Sequence, residues 1–212
     1  MPNSATKRLS HLDRNGRARM IDVSAKAPTR RQAQVQAVIR LSPEAFEAMQ
    51  RQSLKKGDPF TVAKIAGIQA AKRTSDLIPL CHPLPLEHLE IIFEPDAATH
   101  TVRLIAQTTT TAKTGIELEA FVAAAVASLA LYDMVKAVDP AATITDLQLL
   151  RKTGGSQPFR PPSQKTPASP TRSVGYAAAS PAMAGEEGGR PASARCRPLE
   201  QRRIPGGLHA YV

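Results

Sequence analysis

The sequence predicts an α+β fold in which one antiparallel sheet packs against helices. Hydrophobic periodicity gives the element order strand, two helices, two strands, a long helix and a final strand. The two central strands, residues 86–95 and 100–111, are separated by a short turn, so we expect them to pair as a hairpin. The long helix, residues 119–138, follows that hairpin and leads to the final strand. This order is typical of a ferredoxin-like split βαβ sandwich.

The first strand is predicted over residues 31–41, where small apolar residues alternate with glutamine and arginine. The alternating apolar residues are Ala33, Val35, Ala37 and Ile39. A short helix should begin directly afterwards, because Ser42 can cap its first turn and Pro43 suits its first position.

A second helix is predicted over residues 59–78, ending before Pro79. Its residues at helical spacing are Val62, Ile65, Ala66, Gln69 and Ala70. The long helix should stop at Asp139-Pro140, and the final strand should cover residues 142–150.

The composition indicates an aliphatic core and a reducing environment. Hydrophobic residues make up 42% of the 212 residues, but aromatic residues only 4%. The two cysteines, Cys81 and Cys196, form no CxxC pair and no disulfide framework. The basic N-terminus lacks the apolar segment of a signal peptide, and the longest apolar stretch, residues 120–131, is too short for a membrane span. We therefore expect a cytoplasmic protein with no membrane partner.

The formal net charge of +10 favours anionic partners. One interpretation is an RNA-binding protein, but that class needs stacking aromatic residues, and the chain has few of them. A solvated basic surface without a specific nucleic-acid partner is therefore favoured. A further alternative is a non-catalytic, anion-binding oligomer with the same fold, which predicts that catalytic residues are missing.

We expect three parts, namely a flexible N-terminus at residues 1–10, one folded domain at residues 11–155, and a tail at residues 156–212 that composition sets apart. From Thr153 onward the chain holds half of its prolines and two thirds of its glycines, without helical or strand periodicity. Such a segment buries too little apolar area to offset the entropy lost on ordering. We expect the tail to be mostly disordered.

Two glutamates precede the long helix in the segment TAKTGIELEA, residues 111–120. In an extended segment, Glu117 and Glu119 point to one face and offer paired carboxylates to amine or hydroxyl groups. In a helix their side chains diverge by about 200°, and they are acids near the positive end of that helix. The sequence leaves both alternatives open.

A charged pair lies near the end of the long helix. Asp133 and Lys136 are three residues apart and share one helical face. An isolated surface pair contributes little to stability. Apolar neighbours predict partial desolvation, which suits a lysine used for proton transfer or phosphate binding. Earlier in the chain, Lys56 precedes a glycine turn, from which it could reach an anion; a plain polar loop is the alternative.

The segment IPLCHPLPLEH, residues 78–88, combines one cysteine, two histidines and three prolines. Cys81 and His82 are adjacent, which is a poor spacing for a zinc site, and Cys81 has no resolving partner for redox chemistry. The prolines fix φ and stiffen the loop. We therefore predict that the loop presents His82 to a ligand while Cys81 packs.

Four segments resemble one known family: MIDVSAK, KGDPFTVAKIAGIQAAKRTSDLIPLCHPL, TAKTGIELEA and LYDMVKAV. They look like cyclic pyranopterin monophosphate synthases, the molybdenum cofactor biosynthesis protein C family. The resemblance implies a ferredoxin-like fold and a homohexamer, a trimer of dimers with active sites at subunit interfaces. It also implies a lyase that converts 3′,8-cyclo-7,8-dihydroguanosine 5′-triphosphate into cyclic pyranopterin monophosphate with release of pyrophosphate. A radical-SAM enzyme would supply the substrate.

The resemblance implies roles for individual residues. Asp133, Lys136 and Lys56 are the expected catalytic residues. The residues expected to bind the substrate are Leu80, Cys81, His82, Glu117, Leu118, Glu119, Arg31, Lys72, Arg73 and Lys152. Arg30 competes with Arg31 for the phosphates.

The resemblance requires no cofactor. Mg²⁺ would assist only through the triphosphate, because the sequence contains no carboxylate set that demands the ion. One departure from the family follows Gly155, where the family usually continues with a lysine. Here Ser156 and the long tail follow instead, so we draw no role from the family's terminal residues.

Overall fold

The structure is a computed structural model that describes residues 12–13, 15–51, 54, 56–155 and 158–161. Its elements in chain order are β1 Thr29–Arg40, α1 Pro43–Gln50, α2 Pro59–Ala71, α3 Thr74–Leu77, β2 His88–Asp96, β3 Thr101–Ala112, α4 Glu117–Val135 and β4 Thr143–Thr153. The predicted flexible segment 1–10 and most of the predicted tail 156–212 lie outside the described residues.

The four strands form one antiparallel sheet in the order β2-β3-β1-β4. β1 lies inside the sheet and pairs with β3 on one side and with β4 on the other, while β2 pairs with β3 as the predicted hairpin. β4 follows the second helical segment and lies beside β1, which is the split βαβ arrangement. The predicted fold class is confirmed.

One face of the sheet packs against the helices. The alternating residues of β1 that were predicted to be buried have at most 2% of their surface exposed. β3 buries its alternate residues in the same way: Val102, Leu104 and Ala106. The two-residue period of a strand therefore decided which side chains form the core.

α2 packs against α4 through its smallest residues. Its buried positions repeat every four residues: Pro59, Ala63, Gly67 and Ala71. A Cβ on Gly67 would lie 2.8 Å from the Ala123 carbonyl oxygen and 3.1 Å from Ala127 Cβ, so only glycine permits this close approach. Periodicity pointed to larger residues such as Val62 and Ile65, but these are 41% and 52% exposed.

α2 is shorter than the predicted helix over residues 59–78. Arg73 leaves the helical conformation, with φ −113° and ψ 16°, and α3 follows as a separate turn. The buried Thr74 hydroxyl donates a hydrogen bond to the Ala71 carbonyl at 2.9 Å, which satisfies one of the carbonyls left free at the helix end. The chain then enters the proline-rich loop.

The start of α1 follows the prediction. Pro43 occupies the first turn, and Ser42 Oγ accepts a hydrogen bond from the Ala45 amide at 3.2 Å. The Ser42 amide in turn donates to the buried carboxylate of Asp139 at 2.7 Å. This bond joins the segment after α4 to the segment after β1.

α4 is, within the described part of the chain, the one helix long and apolar enough to cross a membrane by length and composition. It covers 19 residues, longer than the apolar stretch considered from sequence. Half of its apolar window is buried, because the helix lies across the sheet and against α2. Its hydrophobicity is thus that of a core helix.

Candidate active site

Asp133 holds two lysines at the C-terminal end of α4. Its carboxylate oxygens contact Lys56 Nζ at 2.6 Å and Lys136 Nζ at 2.8 Å. Lys56 Nζ also donates to the Asp133 backbone carbonyl at 2.9 Å. We call these three residues the lysine cluster. The expected desolvation is not seen, because the Asp133 and Lys136 side chains are each 53% exposed in the single chain.

Contacts within the lysine cluster fix the charges of Asp133 and Lys136. Hydrogen bonds from Lys136 and Lys56 lower the pKa of Asp133 to about 2. The hydrogen bond and negative charge of Asp133 raise the pKa of Lys136. At neutral pH the cluster therefore presents an ionised carboxylate and a protonated Lys136.

A second group of polar residues lies at the N-terminal end of α4. Lys152 Nζ on β4 contacts Glu117 Oε1 at 2.7 Å, and both side chains are about three-quarters buried. Glu119 is 3% exposed, and its Oε1 lies 3.8 Å from Cys81 Sγ. We call Cys81, Glu117, Glu119 and Lys152 the carboxylate cluster.

The helix begins at Glu117, so the extended alternative for the two glutamates is wrong. Ile116, 1% exposed, anchors the chain in the core directly before the helix. Glu117 and Glu119 therefore diverge around the first turn, where the helix dipole favours their negative charge. The helical alternative is therefore correct, and the structure adds that Glu119 is buried.

Burial changes the proton affinity of Glu119 and of Cys81. It raises the pKa of Glu119, whose Oε2 has no hydrogen-bond partner among the described residues. Burial and the charge of Glu119 raise the pKa of Cys81 to about 11, so the thiol stays protonated at neutral pH. A buried acceptor without a partner is rare in native proteins and suggests a group that a ligand completes.

Arg31 and Arg30 point to opposite faces of the sheet, because consecutive strand residues alternate. Arg31 lies on the same face as the helices, and its guanidinium donates to the Ala112 and Lys113 carbonyls at 3.3 and 3.4 Å. Arg30 instead borders a polar cavity of about 370 Å³ on the open face. Arg31 thus lies on the same side of the sheet as the two clusters, whereas Arg30 lies on the opposite side.

The stiff loop places His82 at a cavity of about 350 Å³, lined mainly by apolar atoms from prolines and neighbouring residues. Lys113 borders the same cavity and donates to the Ser24 carbonyl at 2.7 Å. Sequence reasoning missed Lys113, although it lies inside the quoted TAKTG motif. Its position depends on a contact with Ser24, 89 residues earlier in the chain, which only the fold reveals.

The remaining predicted residues lie at the surface near the end of α2 and the start of α4. Lys72 and Arg73 are exposed at the end of α2, and neither forms an ion pair with another described residue. Leu80 is half-buried, and Leu118 is 39% exposed. Across the described residues, no three His, Cys, Asp or Glu side chains are grouped to hold a metal ion.

The two clusters lie at opposite ends of α4. Glu119 and Asp133 are separated by 14 helical residues, or about 21 Å at the rise of an α-helix. General acids and bases act within hydrogen-bond reach of the atoms they serve. The two clusters of one chain therefore cannot act on the same reacting atoms.

The fold and the two clusters define a protein class, an α+β domain with lysines and carboxylates grouped at both ends of its long helix. The MoaC family model matches residues 20–155. The chain therefore belongs to the MoaC family, and the predicted resemblance to cyclic pyranopterin monophosphate synthases is confirmed.

Three curated relatives show how far the similarity extends. The cyclic pyranopterin monophosphate synthase of Herpetosiphon aurantiacus is 50% identical over 149 residues, 70% of this chain and 91% of that protein. The synthase of Roseiflexus castenholzii is 48% identical over 69% of this chain and 93% of that protein. Human molybdenum cofactor biosynthesis protein 1 is 46% identical over 74% of this chain and 24% of its own length.

Proposed function

We propose that this chain is a cyclic pyranopterin monophosphate synthase, a lyase that converts 3′,8-cyclo-7,8-dihydroguanosine 5′-triphosphate with release of pyrophosphate. The observation that carries the proposal is similarity over nine tenths of a relative with that name, together with Lys56 and Lys136, which both contact the Asp133 carboxylate. A non-catalytic module of this fold would have no need to keep such a cluster.

The carboxylate cluster is suited to recognise the purine-derived ring. Glu119 offers a buried oxygen that has no partner in the described part of the chain and can accept a hydrogen bond from an exocyclic amine or ring N–H. Cys81 Sγ lies 3.8 Å from the other carboxylate oxygen of Glu119. Leu80 precedes Cys81 in sequence, Leu118 precedes Glu119 on α4, and His82 borders a separate apolar cavity. A site built to hydrogen-bond such groups rejects analogues that lack them, because its buried acceptor is then left unpaired.

Cations near the carboxylate cluster are suited to hold the triphosphate. Lys152 and Arg31 lie on the helix side of the sheet, and Lys72 and Arg73 are exposed at the end of α2. Their charges would stabilise negative charge that develops during phosphoryl transfer. Mg²⁺ would enter only with the triphosphate, and the protein residues require no resident metal.

The lysine cluster is suited to proton transfer. Lys136 is protonated at neutral pH and can donate a proton while the five-membered ring of the purine opens and the pyranopterin forms. Asp133 is a weak base with a pKa of about 2, so its task is to hold both lysines in place. In the last step a ribose-derived hydroxyl oxygen bonds to the α-phosphorus, its proton passes to a base, and the bond to pyrophosphate breaks.

A complete active site needs residues from two copies of the chain, because the clusters lie about 21 Å apart on one helix. Large apolar side chains exposed in the single chain offer surfaces for such assembly: Val62, Ile65, Leu77, Leu118 and Leu129. These features support an oligomer with active sites between subunits, and we propose the homohexamer, a trimer of dimers, that the family resemblance implies. We also propose that the enzyme is cytoplasmic and has no membrane partner, because the relatives that it matches are biosynthetic enzymes.

A single-turnover assay tests the proposed function. Purified chain is mixed with enzymatically prepared 3′,8-cyclo-7,8-dihydroguanosine 5′-triphosphate, and pyrophosphate and pterin product are followed together. We expect both products to appear with the wild-type chain, and both to vanish with Lys136→Ala. Lys64→Ala removes an exposed lysine from α2 and serves as the matched control, with activity unchanged.

One outcome would contradict the proposed activity, and another would contradict the proposed role of Lys136. The first is a folded wild-type oligomer that yields neither product. The second is a Lys136→Ala variant that loses its oligomeric state together with its activity, which would give this lysine a structural task instead of a chemical one.

A further inference from the structure

The outer edge of β4 forms backbone hydrogen bonds with a later segment at one residue. Within the described residues β4 lies at the end of the sheet and pairs with β1 on its inner side. Its outer edge therefore carries backbone groups without a sheet partner. At Lys152 the backbone amide donates to the Phe159 carbonyl at 2.9 Å, and the Phe159 amide donates back to the Lys152 carbonyl at 3.1 Å. We call residues 158–161 the edge strap.

The edge strap meets β4 at a residue of the carboxylate cluster. Lys152 pairs in register with Ala33, whose side chain is buried against the helices. The Lys152 side chain therefore extends toward the helices, where its Nζ contacts Glu117. The strap holds the backbone of this lysine from outside the sheet, while Glu117 holds its ammonium group from inside.

Two glycines bring the chain out of β4 beside the site. Gly154 and Gly155 have φ of +83° and +71°, which side chains rarely allow. A Cβ on Gly154 would collide with the Arg30 carbonyl, and a Cβ on Gly155 would collide with the Arg31 guanidinium. The chain can leave the strand in contact with Arg31 only because both positions are glycine.

We propose that the edge strap is a positioning element that holds Lys152 where the substrate triphosphate binds, an inference that rests on the proposed function. The strap lies beyond residues 20–155, the part of the chain that matches the family. A lysine near the free end of an edge strand loses backbone and side-chain freedom when it binds a phosphate. Pairing with Phe159 fixes its backbone in advance, which lowers the cost of binding.

Phe159→Pro in the full-length chain tests the strap. Proline has no amide hydrogen and removes the hydrogen bond to the Lys152 carbonyl. We expect KM to rise roughly threefold to tenfold, the loss expected for about one backbone hydrogen bond, with kcat within about twofold of wild type. Hydrogen–deuterium exchange of the peptide that contains Lys152 should become faster. Phe159→Val keeps the amide and should match the wild type in both measurements.

The possible outcomes distinguish a failure of the proposed positioning role from a failure of the proposed activity. Unchanged KM in an active Phe159→Pro variant would overturn the positioning role, whether or not exchange at Lys152 becomes faster. A fall in kcat at unchanged KM would overturn it as well, because a positioned binding residue acts on affinity. No product from the wild-type chain would instead refute the proposed function.

Discussion

At the scale of single residues, the sequence could predict which residues belong to the candidate site. It could not predict which of these residues contact each other. Motif resemblance named Glu119 and Cys81, but their juxtaposition joins the start of α4 to a loop 38 residues earlier. The same holds for Lys56 and Asp133, which are 77 residues apart. Spacing rules describe neighbours on one element, so pairings between elements appear only in the fold.

The thiol of Cys81 gives a direct readout of the buried Glu119 charge. Because burial and Glu119 raise the pKa of Cys81 to about 11, we expect slow alkylation by iodoacetamide at pH 8, with a rate that continues to rise well above pH 9. Glu119→Gln removes the negative charge and should lower this pKa, which would increase the alkylation rate at pH 8 severalfold, up to about tenfold.

The alkylation is measured in a Cys196→Ser background, so that Cys81 is the thiol followed. Glu90→Gln removes an exposed carboxylate on β2 and serves as the control, with an unchanged rate. Equal alkylation rates in the Glu119→Gln variant and its parent would show that Glu119 does not carry its charge beside the thiol.

At the scale of elements, strong hydrophobic periodicity correctly predicted that the helices and strands exist. It predicted less well which face of a helix is buried and where a helix ends. The alternating residues of β1 are buried as predicted. On α2, however, periodicity pointed to Val62 and Ile65, because both are more hydrophobic than Gly67. The close contact between α2 and α4 instead requires the smallest side chain, so Gly67 is the buried residue. The end of α2 was also missed, because it depends on a hydrogen bond from Thr74 and not on a helix-breaking residue.

Gly67→Ala should separate α2 from α4. Alanine favours an isolated helix over glycine by about 1 kcal/mol, but here its Cβ would lie 2.8 Å from the Ala123 carbonyl oxygen. We expect the overpacking to dominate and to lower the free energy of unfolding by about 1–3 kcal/mol. Urea denaturation at one fixed protein concentration measures the change, since assembly also adds stability.

Gln69→Ala, an exposed change on the same helix, provides the comparison and should alter the free energy of unfolding by less than about 0.5 kcal/mol. A Gly67→Ala chain as stable as this control would mean that the helices can move apart at little cost.

At the scale of the whole molecule, the separation of the two clusters predicts that inactive variants rescue each other. Glu119→Gln damages one end of α4 and Lys136→Ala the other. If each site draws one end from each of two copies, a refolded equal mixture of both variants should regain activity at about a quarter of the sites, by random pairing.

Two controls accompany the mixture. Each variant alone should be inactive, and refolding Lys136→Ala together with Asp133→Ala, two lesions at one end, should restore nothing. A mixture of opposite-end variants without activity, in oligomers shown to contain both chains, would place the two clusters in separate sites.

The length of α4 has a consequence for inheritance. A cell with two defective copies of the gene, one altered near Glu119 and the other near Asp133, should still make some product, because the two polypeptides assemble together. Two lesions at the same end of the helix should leave none. The phenotype of a pair of alleles would then depend on where along 19 residues each lesion falls, and not only on how severe each lesion is alone.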